Sequence, residues 1–188
     1  HVPAAVARKL AELAAGDPSL VVRRQLVVSA RRLPVTPARQ VLFPLLARDL
    51  DYDDPRMPLL LWWAIEEGAE ENPGELVSLM GSGESWNSQL LAPLRTRLLR
   101  RWAAAGRLPL YTAAASLLQQ APASSLPGLE EALVMGLQQR AQAAGGIGQG
   151  GLFKQFAQLD KPAEQEEISF EKIAGPLEAH IRARWKEQ

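Results

Sequence analysis

The chain has 188 residues, of which 47% are hydrophobic and 22% charged, a composition typical of a folded globular domain. Its 21 basic and 21 acidic residues cancel, so no net charge favours nucleic acid or an anionic membrane as a partner. Cysteine is absent, which excludes disulfides, thiolate metal sites and covalent haem attachment within the chain. No apolar run reaches the roughly 20 residues of a membrane-spanning helix, so we expect no direct membrane insertion.

Helical periodicity predicts eight helices in four pairs along residues 1–144. They cover residues 6–15 and 20–33, 37–50 and 58–69, 73–80 and 86–105, and 109–121 and 125–144. The marker residues Leu10, Leu45, Leu79 and Leu117 of the first helices lie 35, 34 and 38 residues apart. No window alternates apolar and polar residues, so we expect essentially no sheet. A recurring two-helix unit predicts an all-α fold, an α-solenoid of about four helical hairpins.

The first pair defines the boundary signals. Val6, Leu10 and Leu13 share one face of the first helix, as their spacing requires. Gly16 is suited to a left-handed C-cap, Asp17 to the N-cap of the second helix, and Pro18 to its first position. In the second helix, Val22, Leu26 and Ala30 are expected to face the core. A similar breaker, Asp53-Asp54-Pro55, separates the next two helices.

The character of the chain changes after Ala144. Residues 145–151 hold five glycines in seven positions, which predicts a flexible linker. Residues 152–188 are expected to form a helical extension that packs on or near the last repeat. Its final helix, with Leu177, Ile181 and Trp185 on one stripe, would cap the solenoid.

The spacing Asp17-Pro18, Val22-Arg23 resembles the HEAT-repeat signature. The resemblance implies HEAT-like hairpins in which Asp17 and Arg23 belong to a polar ladder between repeats. The second repeat departs from the signature, because Leu60 stands six residues after Asp54. Its ladder is therefore expected to be broken or differently built.

A narrower resemblance covers about residues 6–120. The phrases Arg32-Leu33-Pro34, Asp54-Pro55-Arg56-Met57-Pro58 and Trp62-Trp63-Ala64-Ile65-Glu66 are similar to the HEAT region of large planctomycete-type proteins. Those proteins join a membrane-bound-dehydrogenase-like propeller, a HEAT segment and a c-type cytochrome domain. The resemblance implies that the chain is a piece of an exported, periplasmic or extracytoplasmic, redox protein. The haem-attachment motif Cys-X-X-Cys-His is absent, so no haem or other cofactor is assigned to these residues.

Trp62 and Trp63 are the first candidates for an interaction surface. Adjacent helical residues point about 100° apart, so both rings cannot lie at the same depth. One interpretation has one ring packed with Leu59 and Ile65 and the other at a groove or the next helix, where tryptophan is a strong interface anchor. The favoured interpretation is that both rings fill the junction between helices, because each ring buries a large area.

Charged residues supply the other candidates. The third pair carries Arg95, Arg97, Arg100, Arg101 and Arg107, and the edge of the second carries Glu66, Glu67, Glu70, Glu71 and Glu75. Since these helices are neighbours in a solenoid, we expect ion pairs between repeats, each worth ~0–1 kcal/mol. The alternative is a polarised patch for a charged partner. Arg24, Arg97 and Arg101 are the arginines that we expect at such a contact.

Other motifs are not expected to carry chemistry. Gly146-Ile147-Gly148-Gln149-Gly150 follows a long helix rather than a strand, which favours a linker over a phosphate-binding loop. His180 has Pro176 and Arg184 at its helical neighbour positions, so it has no metal-ligand geometry. No catalytic residue and no metal site is therefore predicted.

Two functions remain open from the sequence. The favoured one is a non-catalytic scaffold or protein-interaction domain, whose partners are neighbouring domains of the parent chain or another protein. The alternative is a ligand-binding or enzymatic all-α domain, with residues 145–151 as a lid.

Overall fold

The computed structural model describes residues 2–66 and 68–147, and all regular structure in this part is helical. The helices are α1 (Ala4–Gly16), α2 (Leu20–Ala30), α3 (Val35–Ala47), α4 (Met57–Glu66), α5 (Pro73–Gly81), α6 (Leu91–Ala105), α7 (Leu108–Gln120) and α8 (Leu126–Ile147). A short 3-10 helix, Gly83–Asn87, lies between α5 and α6. The all-α prediction is confirmed for the residues that the structure describes.

Alternate helices pack against each other. Along the even-numbered row, α2 contacts α4, α4 contacts α6, and α6 contacts α8 most extensively of all. Among the odd-numbered helices, α1 packs against α3 and α5 against α7. The even-numbered row therefore forms one unbroken surface across the described part of the molecule.

The core lies between the rows and is mostly leucine. Its largest fully buried apolar side chains are Trp102, Leu46, Met57, Leu61, Met80, Leu90, Leu94, Leu98, Leu99, Leu110 and Leu117. The Trp102 ring is anchored by a hydrogen bond from Nε1 to the Ala69 carbonyl oxygen over 2.9 Å. This bond satisfies the only polar atom of a side chain that burial would otherwise strand.

The buried face predicted for α2 agrees with the structure better than the one predicted for α1. Leu26 and Ala30 of α2 are buried as expected. In α1 the predicted stripe is wrong at Val6, which is 48% exposed, whereas Ala7 and Ala14 are buried. Leu10 and Leu13 of the predicted stripe do pack against the core, and Ala7 and Ala14 lie three and four residues from Leu10 on the same side of α1.

The capping predictions around residue 17 are also wrong in detail. Gly16 is the last residue of α1, and Asp17 follows it in an extended conformation. α2 begins at Leu20, so Pro18 precedes the helix, and Asp17 Oδ1 accepts a hydrogen bond from the Ser19 N–H over 2.8 Å. A left-handed glycine cap does occur at Gly106 (φ 67°), directly after α6.

Other boundaries also differ from prediction. α2, α3 and α4 end at Ala30, Ala47 and Glu66, before the predicted ends at residues 33, 50 and 69. Residues 86–90 do not belong to α6, because the 3-10 helix and a turn occupy them. α8 continues to Ile147, so the first three residues of the predicted linker are helical. The rest of the linker, the extension 152–188 with its capping helix, and His180 lie outside the described residues.

Candidate interaction surface

The loop between α3 and α4, residues 48–56, holds the densest group of polar contacts. Asp49 (φ 49°) and Asp51 (φ 63°) both adopt the left-handed conformation, which aspartate tolerates better than most residues. These turns direct the two carboxylates to different neighbours. We call this segment the α3–α4 loop.

Arg23 of α2 is bound by the α3–α4 loop. Its Nε and Nη2 donate to the two carboxylate oxygens of Asp51, each over 2.6 Å, and its Nη1 donates to the Asp17 carbonyl oxygen over 3.0 Å. The Asp51 carboxylate raises the pKa of the buried Arg23 guanidinium, so this side chain stays charged. Arg23 thus joins two hairpins, with the backbone of Asp17 and the carboxylate of Asp51 as its partners.

Arg24 makes the next connection. Its guanidinium forms an ion pair with Asp54, a buried residue of the same loop. Asp54 Oδ1 also accepts hydrogen bonds from the Arg56 and Met57 N–H groups, over 3.0 and 2.8 Å, at the start of α4. Arg24, followed by these N–H groups, lowers the pKa of Asp54 against the opposing effect of burial. Asp54 is therefore directed towards α2 rather than towards position 60.

Arg48 and Asp49 of the loop contact residues on opposite sides of it along the chain. Arg48 Nη1 donates to the carbonyl oxygens of Ala14 and Asp17, over 3.2 and 3.1 Å. Asp49 accepts hydrogen bonds from the Ser88 hydroxyl at 2.6 Å and the Leu90 N–H at 2.9 Å, just before α6. Burial raises the pKa of Asp49, but these hydrogen bonds outweigh it and leave the pKa lowered.

Arg95 is expected among the basic surface residues of the third pair, but it is buried. It is 2% exposed, donates from Nε to the Met80 carbonyl oxygen over 2.8 Å, and lies 4.3 Å above the Trp86 ring. Burial lowers its pKa to about 10, with Asp49 opposing, so it is a cation at neutral pH. Arg95 therefore holds the 3-10 segment onto α6.

The predicted ion pairs between the second and third hairpins are present. Arg101 contacts Glu66 at 2.8 Å and Glu70 at 3.1 Å, and Arg107 also pairs with Glu70. These groups are partly exposed, so each pair contributes little stability alone. Their main effect is to fix how α6 lies against α4 and the turn after it.

The two tryptophans separate as their spacing predicts. Trp62 is half-buried against the core and lines one groove, with Arg97, Arg101 and other residues of α4, α6 and α8. Trp63 is 43% exposed and lines a second groove between α2 and α4. The favoured interpretation, in which both rings fill the junction between helices, is therefore wrong for Trp63.

We call the second groove the Trp63 groove; it consists of Val28, Arg31, Arg32, Leu60 and Trp63. Val28 is 36% exposed and Leu60 packs on the core, so the groove has an apolar floor. Arg31 and Arg32 are exposed at its edge and have no carboxylate partner within residues 2–66 and 68–147.

The candidate arginines thus fall into two groups. Arg24 and Arg101 are held by carboxylates of the chain itself, whereas Arg97 is exposed and makes no ion pair with any described residue. Sequence reasoning missed Arg31 and Arg32. Their position three and four residues after Val28, at the end of α2, places them on one helix face and was the available signal.

Other kinds of site find no support in the described residues. No group of three or more His, Cys, Asp or Glu side chains there is arranged to hold a metal ion. None of the described helices combines the length and apolar character that crossing a membrane requires. Comparison with known protein families, curated proteins and solved structures found no match to this chain.

Proposed function

We propose that the chain is a non-catalytic helical-repeat scaffold whose even-numbered helices bind a neighbouring domain or another protein. The observation that carries this proposal is the Trp63 groove, where an exposed tryptophan lies beside two exposed arginines. Tryptophan and arginine are the residues most enriched at the energetic centres of protein interfaces. A partner with apolar and acidic groups would match the groove.

We further propose that the architecture is a short HEAT-like solenoid of about four hairpins. Supporting this are the contacts between alternate helices and the bridging of adjacent hairpins by Arg23. In such stacks each unit contacts mainly its neighbours, and the second helices line an extended binding surface. The even-numbered row is the corresponding surface here.

The resemblance to exported redox proteins suggests what the partner is. We propose a neighbouring propeller or cytochrome domain of the parent chain, in an extracytoplasmic compartment. In that role the scaffold positions redox domains and takes no part in electron transfer.

A ligand-binding or enzymatic role has weaker support. A cleft between the end of α2 and helices α3, α4 and α5 has a volume of about 170 Å³. Pockets for drug-sized ligands are typically ~300–1,000 Å³, and the more open grooves at Trp62 and Trp63 measure about 640 and 420 Å³, so volume alone does not decide against a ligand. The lining of this cleft combines apolar Leu42, Ile65 and Leu76 with charged Arg31, Arg39 and Glu71, and among the described residues it contains no His, Ser, Tyr or Lys side chain.

The test is binding of purified neighbouring domains of the parent protein to variants of this chain. Trp63→Ala and Arg31→Glu change two groups of the Trp63 groove that make no ion pair with any described residue, and each should raise the Kd about tenfold or more. Arg101→Glu is less informative, because it would place a third carboxylate beside Glu66 and Glu70.

The matched control is Tyr52→Ala, an aromatic residue that is 47% exposed in the α3–α4 loop. The affinity of the Tyr52→Ala variant for the neighbouring domain should be unchanged, and circular dichroism should show equal helicity in all variants. Unaltered affinity of the Trp63→Ala variant would remove the groove from the proposal.

A further inference from the structure

The Trp63 groove carries more positive charge than the described part of the chain neutralises. Arg23, Arg24 and Arg101 all have carboxylate partners, but Arg31 and Arg32 have none there. An occupant with carboxylates and apolar side chains would pair with the two arginines and cover the apolar floor of the groove.

The chain itself contains a segment of this chemistry. Residues 164–171 read Glu-Gln-Glu-Glu-Ile-Ser-Phe-Glu, with four carboxylates and two large apolar residues. We propose that residues 164–171 bind in the Trp63 groove, with the glutamates at Arg31 and Arg32 and Ile168 or Phe170 against Trp63. The segment then acts as an intramolecular competitor of the partner.

The connection is long enough for this contact. Residues 148–163 separate α8 from the segment and can span up to about 50 Å when extended. α8 and α2 are three neighbour contacts apart along the even-numbered row, or about 30 Å at 8–10 Å per helix pair. A tethered segment has an effective concentration of about a millimolar, so even weak intrinsic binding would keep the groove occupied.

Charge also distinguishes the Trp63 groove from the groove at Trp62. The groove at Trp62 contains Glu66 and Glu70, whose carboxylates already pair with Arg101. An acidic segment would meet those carboxylates there, and like charges repel. The Trp63 groove has no acidic residue in its lining.

This inference uses the same surface as the proposed function but does not depend on any partner being found. A partner domain would have to displace the segment, so affinity for the partner would rise when the segment is weakened. The two ideas can fail separately, because occupancy by the segment is measured on the isolated 188-residue chain.

The absence of cysteine makes disulfide trapping unambiguous. The test variant is Val28→Cys with Ser169→Cys, and the control is Ser78→Cys with Ser169→Cys, since Ser78 is exposed on α5 in the other row. Under mild oxidation the Val28 pair should form an intramolecular disulfide about tenfold faster than the control pair, measured by non-reducing mass spectrometry. Equal rates, or a disulfide only between chains, would overturn the proposal.

Charge reversal supplies the second arm. Adding Glu166→Lys and Glu167→Lys to the Val28 pair should lower its rate to that of the control. Further addition of Arg31→Glu and Arg32→Glu should restore the fast rate, because the charges are again opposite. If Glu166→Lys and Glu167→Lys leave the rate of disulfide formation unchanged, the segment does not recognise these arginines.

Discussion

At the scale of single residues, aspartates of one loop determine how neighbouring helices join. Asp51 holds Arg23, Asp54 holds Arg24, and Asp49 receives the N–H groups before α6. Such charge-assisted hydrogen bonds are about twice as strong as neutral ones, and the αL turns at Asp49 and Asp51 aim them. The loop therefore contributes specificity that apolar packing alone does not supply.

Asp51→Asn tests this role with almost no change in shape. Asparagine tolerates the positive φ at this position but removes the charge from a nearly buried pair. We expect the free energy of unfolding to fall by about 2–4 kcal/mol in urea titrations. Asp53→Asn, at an exposed position in the same loop, should change it by less than about 0.5 kcal/mol; equal losses would refute the pairing argument.

Asp54 should make the stability depend on pH in the acid range. Its pKa is lower in the folded protein, so its contribution is complete above the unfolded value of about 3.9 and is lost as the pH falls through the folded pKa. At pH 7 Asp54→Asn should cost about 1.5 kcal/mol, and the difference from the natural protein should narrow below pH 4. Urea unfolding at pH 7, 5, 4 and 3 measures this, and a constant difference would contradict it.

The sequence indicated Arg23 but not its carboxylate partner. Asp17 lies six residues before Arg23, and this local spacing is visible in one hairpin. Asp51 is 28 residues from Arg23, and their contact depends on how two hairpins pack. It also depends on the left-handed conformation of Asp51, which the presence of an aspartate does not by itself predict. The different depths of Trp62 and Trp63 followed from helical geometry, since that is local.

At the scale of elements, the contact between α6 and α8 is the most extensive one between the described helices. Gly136 lies where α8 meets α6, and a Cβ built there would clash with the Arg100 carbonyl oxygen and come within 2.6 Å of the Ala103 Cβ. A backbone carbonyl cannot rotate away as a flexible side chain can. The two helices would have to move apart.

Gly136→Ala should therefore lower the free energy of unfolding by about 1–3 kcal/mol, although alanine favours helix. Gly128→Ala is the matched control on α8, because a Cβ there meets nothing within 4 Å. The control should be neutral or raise stability by up to about 1 kcal/mol. Thermal unfolding distinguishes them, and a stabilised Gly136→Ala variant would show that the helices are not closely packed.

Helix existence was predictable because apolar residues recur at helical spacing in every predicted pair. Boundaries were less so where tertiary contacts decide them. Arg95 and Asp49 hold the backbone around Ser85 and Ser88 outside α6, and neither contact is visible in local sequence.

At the scale of the whole molecule, the even-numbered row implies that stability is distributed by neighbourhood. If the proposed solenoid is correct, a weakened contact between α6 and α8 should loosen those helices and α7, while α1 and α2 keep their protection, because solenoid units depend mainly on adjacent ones. Hydrogen exchange of the Gly136→Ala variant, followed by mass spectrometry of peptides, measures this gradient. A uniform rise in exchange along all eight described helices would indicate one globular cooperative unit instead.

The α3–α4 loop has a consequence for how such a chain can change in length. Arg48 and Asp51 contact the hairpin before it, and Asp49 contacts the start of α6 after it. An extra hairpin duplicated between α4 and α5 would carry Ser88 and Leu90 away and leave Asp49 partly buried without its donors. The α3–α4 loop thus constrains the number of hairpins up to α6, because it contacts neighbours on both sides. Hairpins added by gene duplication would be tolerated better after α6.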